Sequence, residues 1–162
     1  MMSDPRPSWD ETWLTVADAI SKRSRCSRAQ MGAVIVSKDN HVVATGYNGP
    51  AATWPEAGEC VNWCERAKGE TGLGTAYTGC PAIHAEANAL LYVDRSQSLG
   101  GTIYIVSPPC DQCAKLISNS GLARVVCRIS EADMHRNPYQ VIEYLNMCGI
   151  EVTIIGEHND NN

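Results

Sequence analysis

Short apolar runs alternate with amphipathic segments from residue 84 to residue 155. This pattern predicts helices at 84–94, 109–120 and 138–148, and strands at 101–106, 124–129 and 150–155. Strands that are separated by helices usually pair in parallel through crossover connections. The alternation therefore restricts this half of the chain to an α/β architecture.

The first 47 residues predict one helix and a β-hairpin. Ser8 and Glu11 have the spacing of a capping box, and an apolar stripe over residues 9–22 follows them. Two β-rich runs, 31–37 and 41–47, flank a short turn. The chain is therefore predicted to be an α/β protein with a mixed five-stranded sheet and helices on both faces.

A single domain over residues 1–162 is expected, because a chain of this length can form one core. Residues 48–80 form a long segment rich in Gly, Pro and Cys without periodicity, and residues 157–162 are predicted to be a frayed tail. A structureless loop of this length is uncommon in a compact domain. We therefore expect a cross-link there, and the segment contains three of the eight cysteines.

The charge balance narrows the class of partner. The net charge is −5, whereas proteins that bind long nucleic acids usually carry a basic surplus. A small nucleotide is therefore the favoured partner over a long nucleic acid. No run approaches 18 apolar residues, so no membrane span is predicted. The amino terminus lacks the apolar core of a secretory signal, so a cytoplasmic location is expected.

Two short motifs stand at predicted helix starts: His84 with Glu86 two residues later, and Cys110 with Cys113. Cysteines three apart share one face of a helix. The positive end of a helix favours thiolates and a neutral imidazole. One histidine and two cysteines provide three zinc ligands, and an open fourth position is typical of a catalytic zinc.

Glu86 has a chemical role in this arrangement. Zinc lowers the pKa of a bound water to about 7, and a carboxylate in the first helical turn could accept its proton without binding the metal. Alone, the cysteine pair could be a redox pair or half of a zinc ribbon, and the His-x-Glu pattern is common by chance. Together and in this order, the two motifs favour a catalytic zinc site.

The combined motif resembles the signature of the zinc nucleobase deaminases. The chain is most similar to the deoxycytidylate (dCMP) deaminase branch of the cytidine deaminase family, in residues 9–11, 23–33, 46–49 and 109–115. This resemblance implies a cytidine-deaminase-like three-layer α/β/α fold with zinc as the cofactor. It also implies hydrolytic conversion of dCMP to dUMP and ammonia.

The resemblance implies substrate contacts as well. The backbone N–H of Ala85 would contact the pyrimidine carbonyl, the backbone at Ser107 the amino group, and Asn48 the sugar. Asn48 is equally compatible with an ordinary turn residue. Arg23 and Arg28 lie in a basic run that could bind phosphate, and a solvated helix end explains the same run.

Two further residues are candidates by analogy. Arg95 follows the helix that carries Glu86, a position near a subunit boundary in some relatives. Many relatives have a tyrosine-centred motif after the strand at 124–129. Residues 130–139 of this chain do not match that motif, and Tyr139 is the candidate replacement. The resemblance also implies a homo-oligomer, commonly a hexamer, with dCTP and dTTP as possible effectors.

A second group of cysteines is predicted to bind a structural zinc. Several relatives have ligands of a closed second zinc at the positions of Cys26 and Cys60, often completed by histidines. In this chain Cys64 and Cys80 would complete a Cys₄ site, which would tie the long loop to the first helix. The alternative is four unrelated thiols.

Other residues of interest have ordinary structural interpretations. Cys127 and Cys148 are predicted to be core residues, and His135 and His41 surface residues. The tryptophans of the loop, Trp54 and Trp63, could stack on a base or fix the loop.

Rival functions remain open from the sequence. The same chemistry could act on another cytosine or purine base, a nucleoside or tRNA adenosine, although the acidic charge disfavours tRNA. A non-catalytic, zinc-stapled nucleotide-binding module is the rival of another class. Glu86 argues against that rival, because a structural zinc site needs no unligated carboxylate.

Overall fold

A computed structural model describes residues 5–69 and 79–157. The helices are α1 (Trp9–Ser21), α2 (Ala85–Tyr92), α3 (Arg95–Ser98), α4 (Asp111–Ser118) and α5 (Pro138–Met147). The strands are β1 (Gly32–Val36), β2 (Val42–Tyr47), β3 (Thr102–Ile105), β4 (Arg124–Ile129) and β5 (Glu151–Glu157). Two short 3₁₀ helices cover Cys60–Asn62 and Glu131–Arg136.

The five strands form one mixed sheet in the order β2-β1-β3-β4-β5. Strand β1 runs antiparallel to both of its neighbours, whereas β3, β4 and β5 are parallel. This arrangement confirms the predicted mixed sheet, with the hairpin at one edge and the crossover units at the other. The short helix α3 and the 3₁₀ helices were not predicted, because segments of a few residues cannot display a helical apolar stripe.

Helices cover both faces of the sheet, which confirms the three-layer fold. Helices α2, α4 and α5 pack on one face through side chains that include Ala89, Ile117 and Leu145. Helix α1 packs on the opposite face through Leu14 and Ala17. All five residues of β1 are buried, which explains why its sequence is continuously apolar rather than alternating.

Two glycines let helices approach the sheet closely. A Cβ at Gly32 would lie 2.0 Å from the backbone oxygen of Ala17 in α1. A Cβ at Gly46 would lie 2.2 Å from the backbone oxygen of Ala85 in α2. Both contacts are far shorter than van der Waals distance, so only glycine permits these approaches. Gly46 therefore fixes the depth of α2, the helix that begins beside His84.

Polar contacts join α1 to the far strands of the sheet. The predicted capping box forms between Ser8 and Glu11. Asp10 accepts hydrogen bonds from both terminal nitrogens of Arg124, each at 2.8 Å, and from the hydroxyl of Tyr104 at 2.9 Å. Asp18 accepts from Arg128 at 2.7 Å. These contacts attach α1 to β3 and β4.

The long cysteine-bearing segment is held by local turns. Gly49 pairs with Ile83 in an isolated bridge, which closes the base of the segment. The rings of Trp54 and Trp63 lie 5.9 Å apart, and the guanidinium of Arg25 lies 6.0 Å from the Trp63 ring. These contacts support the interpretation that the tryptophans fix the loop. Residues 70–78 of this segment lie outside the described residues.

The core predictions for two cysteines have different outcomes. Cys127 is fully buried in β4, as predicted. The prediction for Cys148 is wrong, because it ends α5 in an exposed position.

Strand β5 extends to Glu157, so the rest of the predicted tail lies outside the described residues. The single domain over 1–162 stays a prediction. Within 5–69 and 79–157, no helix has the length and apolar character needed to cross a membrane.

Candidate active site

Two helix starts bring the predicted zinc ligands together. His84 is the N-cap residue of α2, and Cys110 is the N-cap residue of α4, both with extended backbone. Cys113 lies in the first turn of α4, and its backbone N–H donates to the Cys110 sulfur at 3.5 Å. The N-cap geometry therefore directs the imidazole and the thiols to one point above the ends of the two helices.

The three ligand atoms have distances that suit a zinc ion. His84 Nδ1 lies 3.4 Å from Cys110 Sγ and 3.4 Å from Cys113 Sγ. Tetrahedral coordination with ordinary Zn–N and Zn–S bonds would separate nitrogen and sulfur by about 3.5 Å. Among residues 5–69 and 79–157, these residues form the one group of three potential ligands that lie within 4.8 Å of one another. The donor set fits zinc with one position left for water.

The two cysteines have opposite shifts of the thiol pKa. Hydrogen bonds from Cys113 and His84 hold the pKa of Cys110 at about 4, which makes it a thiolate. The same contact with the Cys110 thiolate, together with burial, raises the pKa of Cys113. A bound metal cation would replace the proton of the Cys113 thiol, because cysteine binds zinc as a thiolate.

The surroundings of His84 act against the expectation that a helix start keeps it neutral. The hydrogen bond to Cys110 raises the pKa of His84, although burial opposes the effect. Zinc binds the neutral imidazole, so metal binding and protonation of His84 compete.

Glu86 lies beside the ligands but is not one of the three. Glu86 is only 6% exposed, and this burial raises the pKa of its carboxyl group. Glu86 also hydrogen-bonds Cys113, which adds to the raised pKa of that thiol. A buried carboxyl group with a raised pKa holds a proton more readily than an exposed one, which suits the role of a general acid–base catalyst.

The site opens into a cavity of about 940 Å³. His84, Glu86 and Cys110 line it, and so do five lysine or arginine residues and three aspartate or glutamate residues. The cavity is therefore more basic than the chain as a whole, whose net charge is −5. A basic lining favours an anionic ligand.

Some of the predicted substrate residues line this cavity. Ala85, Ser107, Asn48 and Arg28 do so. The Arg28 guanidinium donates to the backbone oxygen of Arg66 at 2.7 Å, so one of its nitrogens fixes the loop.

Asn48 has a structural role in addition to its place in the cavity. Its side-chain oxygen accepts from the Met31 backbone N–H at 2.8 Å, and its side-chain nitrogen donates to the Ala29 backbone oxygen at 2.9 Å. These bonds are long-range, so the side chain ties residue 48 to the segment before β1 and does not make the local bonds of an ordinary turn residue. A sugar contact at Asn48 stays a prediction.

Three of the predicted substrate residues are not among the described residues that line the cavity: Arg23, Arg95 and Tyr139. Arg95 donates to the backbone oxygen of Asn119 at 3.0 Å at the start of α3. Tyr139 is 63% exposed on α5. Within this chain, the geometry does not bring these side chains to the zinc ligands.

The second group of cysteines converges on the same cavity without closing. Cys26, Cys60, Cys64 and Cys80 all line it. The backbone N–H of Ser27 donates to Cys60 Sγ at 3.2 Å, and Cys64 Sγ lies 3.9 Å from the Gly79 backbone oxygen. Burial raises the pKa of Cys80, and its hydrogen bond with Cys64 adds to the effect. Among the described residues, however, no three of these sulfurs lie within 4.8 Å of one another.

Asp133 and Arg136 also line the cavity, although neither is a candidate from the sequence. Both lie in the 3₁₀ helix after β4, where Ser130 and Asp133 form a capping box. Burial alone would raise the pKa of Asp133, but hydrogen bonds from Ser107 and Ser130 and the charge of Arg136 hold it below its ordinary value. The Ser-x-x-Asp spacing is the signal from which the turn could have been found.

The fold and the site together define a class of protein. A three-layer α/β/α chain that holds an imidazole, two thiols and a buried carboxyl group at two helix starts can bind zinc and activate water. The family described as the cytidine and deoxycytidylate deaminase zinc-binding region matches residues 7–129, and the chain belongs to this family.

Similar proteins include viral and animal enzymes. The chain is 45% identical over 122 residues to the deoxycytidylate deaminase of Mycobacterium phage D29, which covers 75% of this chain and 94% of that protein. It is 34% identical over 119 residues to the human deoxycytidylate deaminase, which covers 73% of this chain and 63% of the human protein.

A solved structure has the same fold over nearly the whole chain. The dCMP deaminase of cyanophage S-TIM5, in complex with dCMP and dUMP, aligns with a TM-score of 0.69 and 26% identity. The alignment covers 94% of this chain and 100% of the cyanophage chain. The 3₁₀ helix with Asp133 and Arg136 follows residue 129, so it lies beyond the family match.

Proposed function

We propose that this protein is a zinc-dependent hydrolase that converts dCMP and water to dUMP and ammonia. The observation that carries the proposal is the group formed by His84, Cys110 and Cys113 beside buried Glu86. Membership of the deaminase family supports the reaction class. The similarity to deoxycytidylate deaminases supports the substrate.

The proposed mechanism assigns the metal to one place and one task. His84 Nδ1 and the sulfurs of Cys110 and Cys113 would hold the zinc ion. When bound, zinc supplies a water whose pKa is near 7, and hence a nucleophile at neutral pH. The two thiolates balance the charge of Zn²⁺, and both lie at helix starts, which favour them.

Glu86 moves the protons of the reaction. Its carboxylate accepts a proton from the water that adds to ring carbon 4. It then delivers that proton to ring nitrogen 3. The carboxylate next takes the proton of the hydroxyl group on carbon 4 and passes it to the amino group, so that the C4–O bond becomes a carbonyl, the C4–N bond breaks and ammonia leaves. The raised pKa of the buried carboxyl group suits this sequence, because the protonated form persists long enough to act as an acid.

The backbone around the site would orient the base and the sugar. The N–H of Ala85, in the first turn of α2, contacts the pyrimidine carbonyl, and the backbone of Ser107 contacts the amino group. Asn48 contacts the sugar from the edge of the cavity. All of these residues line the same cavity as Glu86, which supports the assignment.

The proposal includes a second, structural zinc at Cys26, Cys60, Cys64 and Cys80. Their common position in the cavity and the contacts of Cys60 with Ser27 and of Cys80 with Cys64 support it. Closure to zinc–sulfur distances would tie the loop to the end of α1. A bound metal ion would bring the four sulfurs to bonding distance.

Assembly, regulation and location follow from the family resemblance. We expect a homo-oligomer, with a hexamer as the specific prediction, dCTP and dTTP as effectors, and a cytoplasmic location. Exposed apolar side chains on the outer helices support assembly: Leu91 and Tyr92 on α2 and Met147 on α5 are 71%, 78% and 82% exposed. Arg95 and Tyr139 would contribute to substrate binding through such an assembly.

A substrate panel tests the proposal. Purified zinc-loaded protein is assayed for ammonia release from dCMP, deoxycytidine, cytosine, guanine and a tRNA substrate, with zinc-stripped protein as the control. We expect the largest kcat/KM with dCMP and no release without zinc. A larger kcat/KM with another substrate would identify that compound, rather than dCMP, as the substrate. Release from none of them would favour the non-catalytic module.

A further inference from the structure

A buried polar cluster beside the predicted zinc ligands binds Arg136 through one nitrogen, Nη2. Asp133 is 4% exposed and Ser107 is 2% exposed. One carboxylate oxygen of Asp133 accepts from the backbone N–H of Ser130 at 2.8 Å and from the Ser130 hydroxyl at 3.0 Å. The other accepts from the Ser107 hydroxyl at 2.5 Å and from Arg136. Asp133 is therefore fixed on both oxygens.

Arg136 keeps most of its donors available. Its Nη2 donates to Asp133 and to the Ser107 hydroxyl, the latter at 2.6 Å. Within residues 5–69 and 79–157, Arg136 makes no other hydrogen bond. A guanidinium has five N–H donors, so those on Nη1 and Nε remain for a ligand. The side chain is 23% exposed, which leaves these donors accessible.

The position of Arg136 relates it to the reaction site. Its side chain lines both the cavity that contains His84 and Glu86 and an adjoining cavity of about 500 Å³. Ser107, which holds the guanidinium, lies three residues before Cys110 in the sequence. An anionic group bound at Arg136 would share the cavity with a base bound at the zinc ligands.

Two other arginines of the cavity have hydrogen-bond partners away from the zinc ligands. Arg128 donates to Asp18 at 2.7 Å, and Arg28 donates to a loop carbonyl. Arg136 is the cation that a buried carboxylate holds in a defined orientation. Asp133 cancels part of the charge of Arg136, but it also holds the Arg136 side chain in one rotamer. A phosphate that binds there therefore loses less free energy to the ordering of this side chain.

We infer that Arg136, positioned by Asp133 and Ser107, binds the 5′-phosphate of the substrate and thereby distinguishes nucleotide from nucleoside. The planar fork of a guanidinium matches two phosphate oxygens, which a hydroxyl group in the same position cannot replace. This inference rests on the proposed dCMP activity, and it assigns the phosphate to a residue outside the basic run at 22–28.

Steady-state kinetics with dCMP and deoxycytidine test the inference. The variants are Arg136→Ala and Arg136→Lys, and the control is Lys38→Ala. Lys38 is exposed after β1 and is not among the residues that line either cavity, so the control removes the same charge at a distance. We expect Arg136→Ala to lower kcat/KM for dCMP about 10- to 100-fold, mostly through KM. The value for deoxycytidine should stay within about twofold of the wild-type value, and Arg136→Lys should recover part of the loss, because it keeps the charge but not the fork.

The opposite pattern would overturn the inference. Equal losses with dCMP and deoxycytidine would mean that Arg136 supports the fold or the chemistry of the site. A wild-type preference for dCMP that persists in Arg136→Ala would place the phosphate elsewhere, while the proposed dCMP activity would stand.

A binding measurement separates this inference from the proposed reaction. Calorimetric titration of dUMP and of deoxyuridine reads phosphate recognition without turnover. We expect wild type and Lys38→Ala to bind dUMP more tightly than deoxyuridine, and Arg136→Ala to lose that difference. If the wild type shows this preference but deaminates nothing, the reaction fails and the role of Arg136 stands. If Arg136→Ala keeps the preference, the role of Arg136 fails.

Discussion

Two groups of cysteine-containing ligands in this protein differ in what positions them. The ligand triad, His84, Cys110 and Cys113, stands at the starts of α2 and α4, and its ligand atoms lie within 4.8 Å of one another. The cysteine cluster, Cys26, Cys60, Cys64 and Cys80, belongs to loops and does not close to that distance among the described residues.

The difference shows what regular structure contributes to a metal site. Helix starts fix the backbone of the triad, and Gly46 fixes the depth of α2 against β2. The cluster has no such framework, so metal binding would itself have to order the loop. The triad is thus preorganised for chemistry, whereas metal at the cluster would act mainly on stability.

The largest difference in turnover is expected between a substitution in the triad and a substitution in the cysteine cluster. Cys113→Ser should lose the catalytic zinc and essentially all turnover, about 10⁴-fold or more, because no nucleophile is generated. Cys64→Ser should keep measurable turnover but lower the melting temperature, since loss of a structural zinc removes folding energy. Metal analysis should find two zinc ions per wild-type chain and one in each variant. One zinc ion in the wild type would contradict the second site.

A smaller loss is expected when the triad is left intact but its proton carrier is removed. Glu86→Gln keeps the shape of the side chain and should retain the catalytic zinc, with kcat lower by about 10³- to 10⁴-fold, because the protons of the reaction lose their carrier. Ammonia release and metal content measured on the same sample test this expectation. Turnover close to the wild-type rate would refute the role of Glu86.

A substitution in strand β2 can displace helix α2, which carries His84 at its start. In Gly46→Ala the new methyl group would meet backbone atoms of Ala85 and Ala89, which cannot rotate away, so α2 must shift. We expect a loss of about 3 kcal/mol in the free energy of unfolding, together with lower kcat. The matched control is Gly49→Ala, whose methyl group would lie 3.8 Å from the nearest atom. Equal stability of the two variants in urea unfolding would contradict the close approach of α2 and β2.

The smallest effect is expected on the opposite face of the sheet. The hydrogen bond from Arg124 lowers the pKa of Asp10, with help from Tyr104 and against the effect of burial. A lowered carboxyl pKa gives stability that is present above the ordinary value of 3.8 and disappears as the pH falls through the value in the folded protein.

Asp10→Asn tests this contact. At pH 7 the variant should be less stable than the wild type by about 1 kcal/mol, and the difference should shrink below pH 4. Urea unfolding of both proteins at pH 7, 5 and 3 measures the change, and loss of zinc at low pH affects both alike. A difference that does not depend on pH would mean that packing, rather than charge, accounts for it. Turnover at pH 7 should be unchanged.

The sequence predicts the framework and the triad well for a physical reason. Apolar periodicity and helix-start signals are local, and the triad consists of residues that stand at such signals. The same locality makes the run of cations at 22–28 prominent in the sequence. In the structure Arg28 reaches the cavity, and Arg23 is not among its lining residues.

Long-range contacts explain what the sequence does not predict. The hydroxyl of Ser107 meets the carboxylate of Asp133 across 26 positions of the chain, and no local pattern at either residue predicts that the two will pair. Cys148 has apolar neighbours in sequence, yet it is exposed because it lies at the end of α5 rather than on its packed face. In both cases the arrangement of separate elements decides the outcome.

The contacts of α1 have a consequence for synthesis on the ribosome. Asp10 and Asp18 bind Arg124 and Arg128, which follow 114 and 110 positions later. Helix α1 therefore has no ionic partner in β4 until residues 124 and 128 have been translated. A nascent chain stalled before residue 124 lacks both ion pairs, so α1 is held to the sheet by its apolar packing and by its hydrogen bonds with Tyr104 and Asn40.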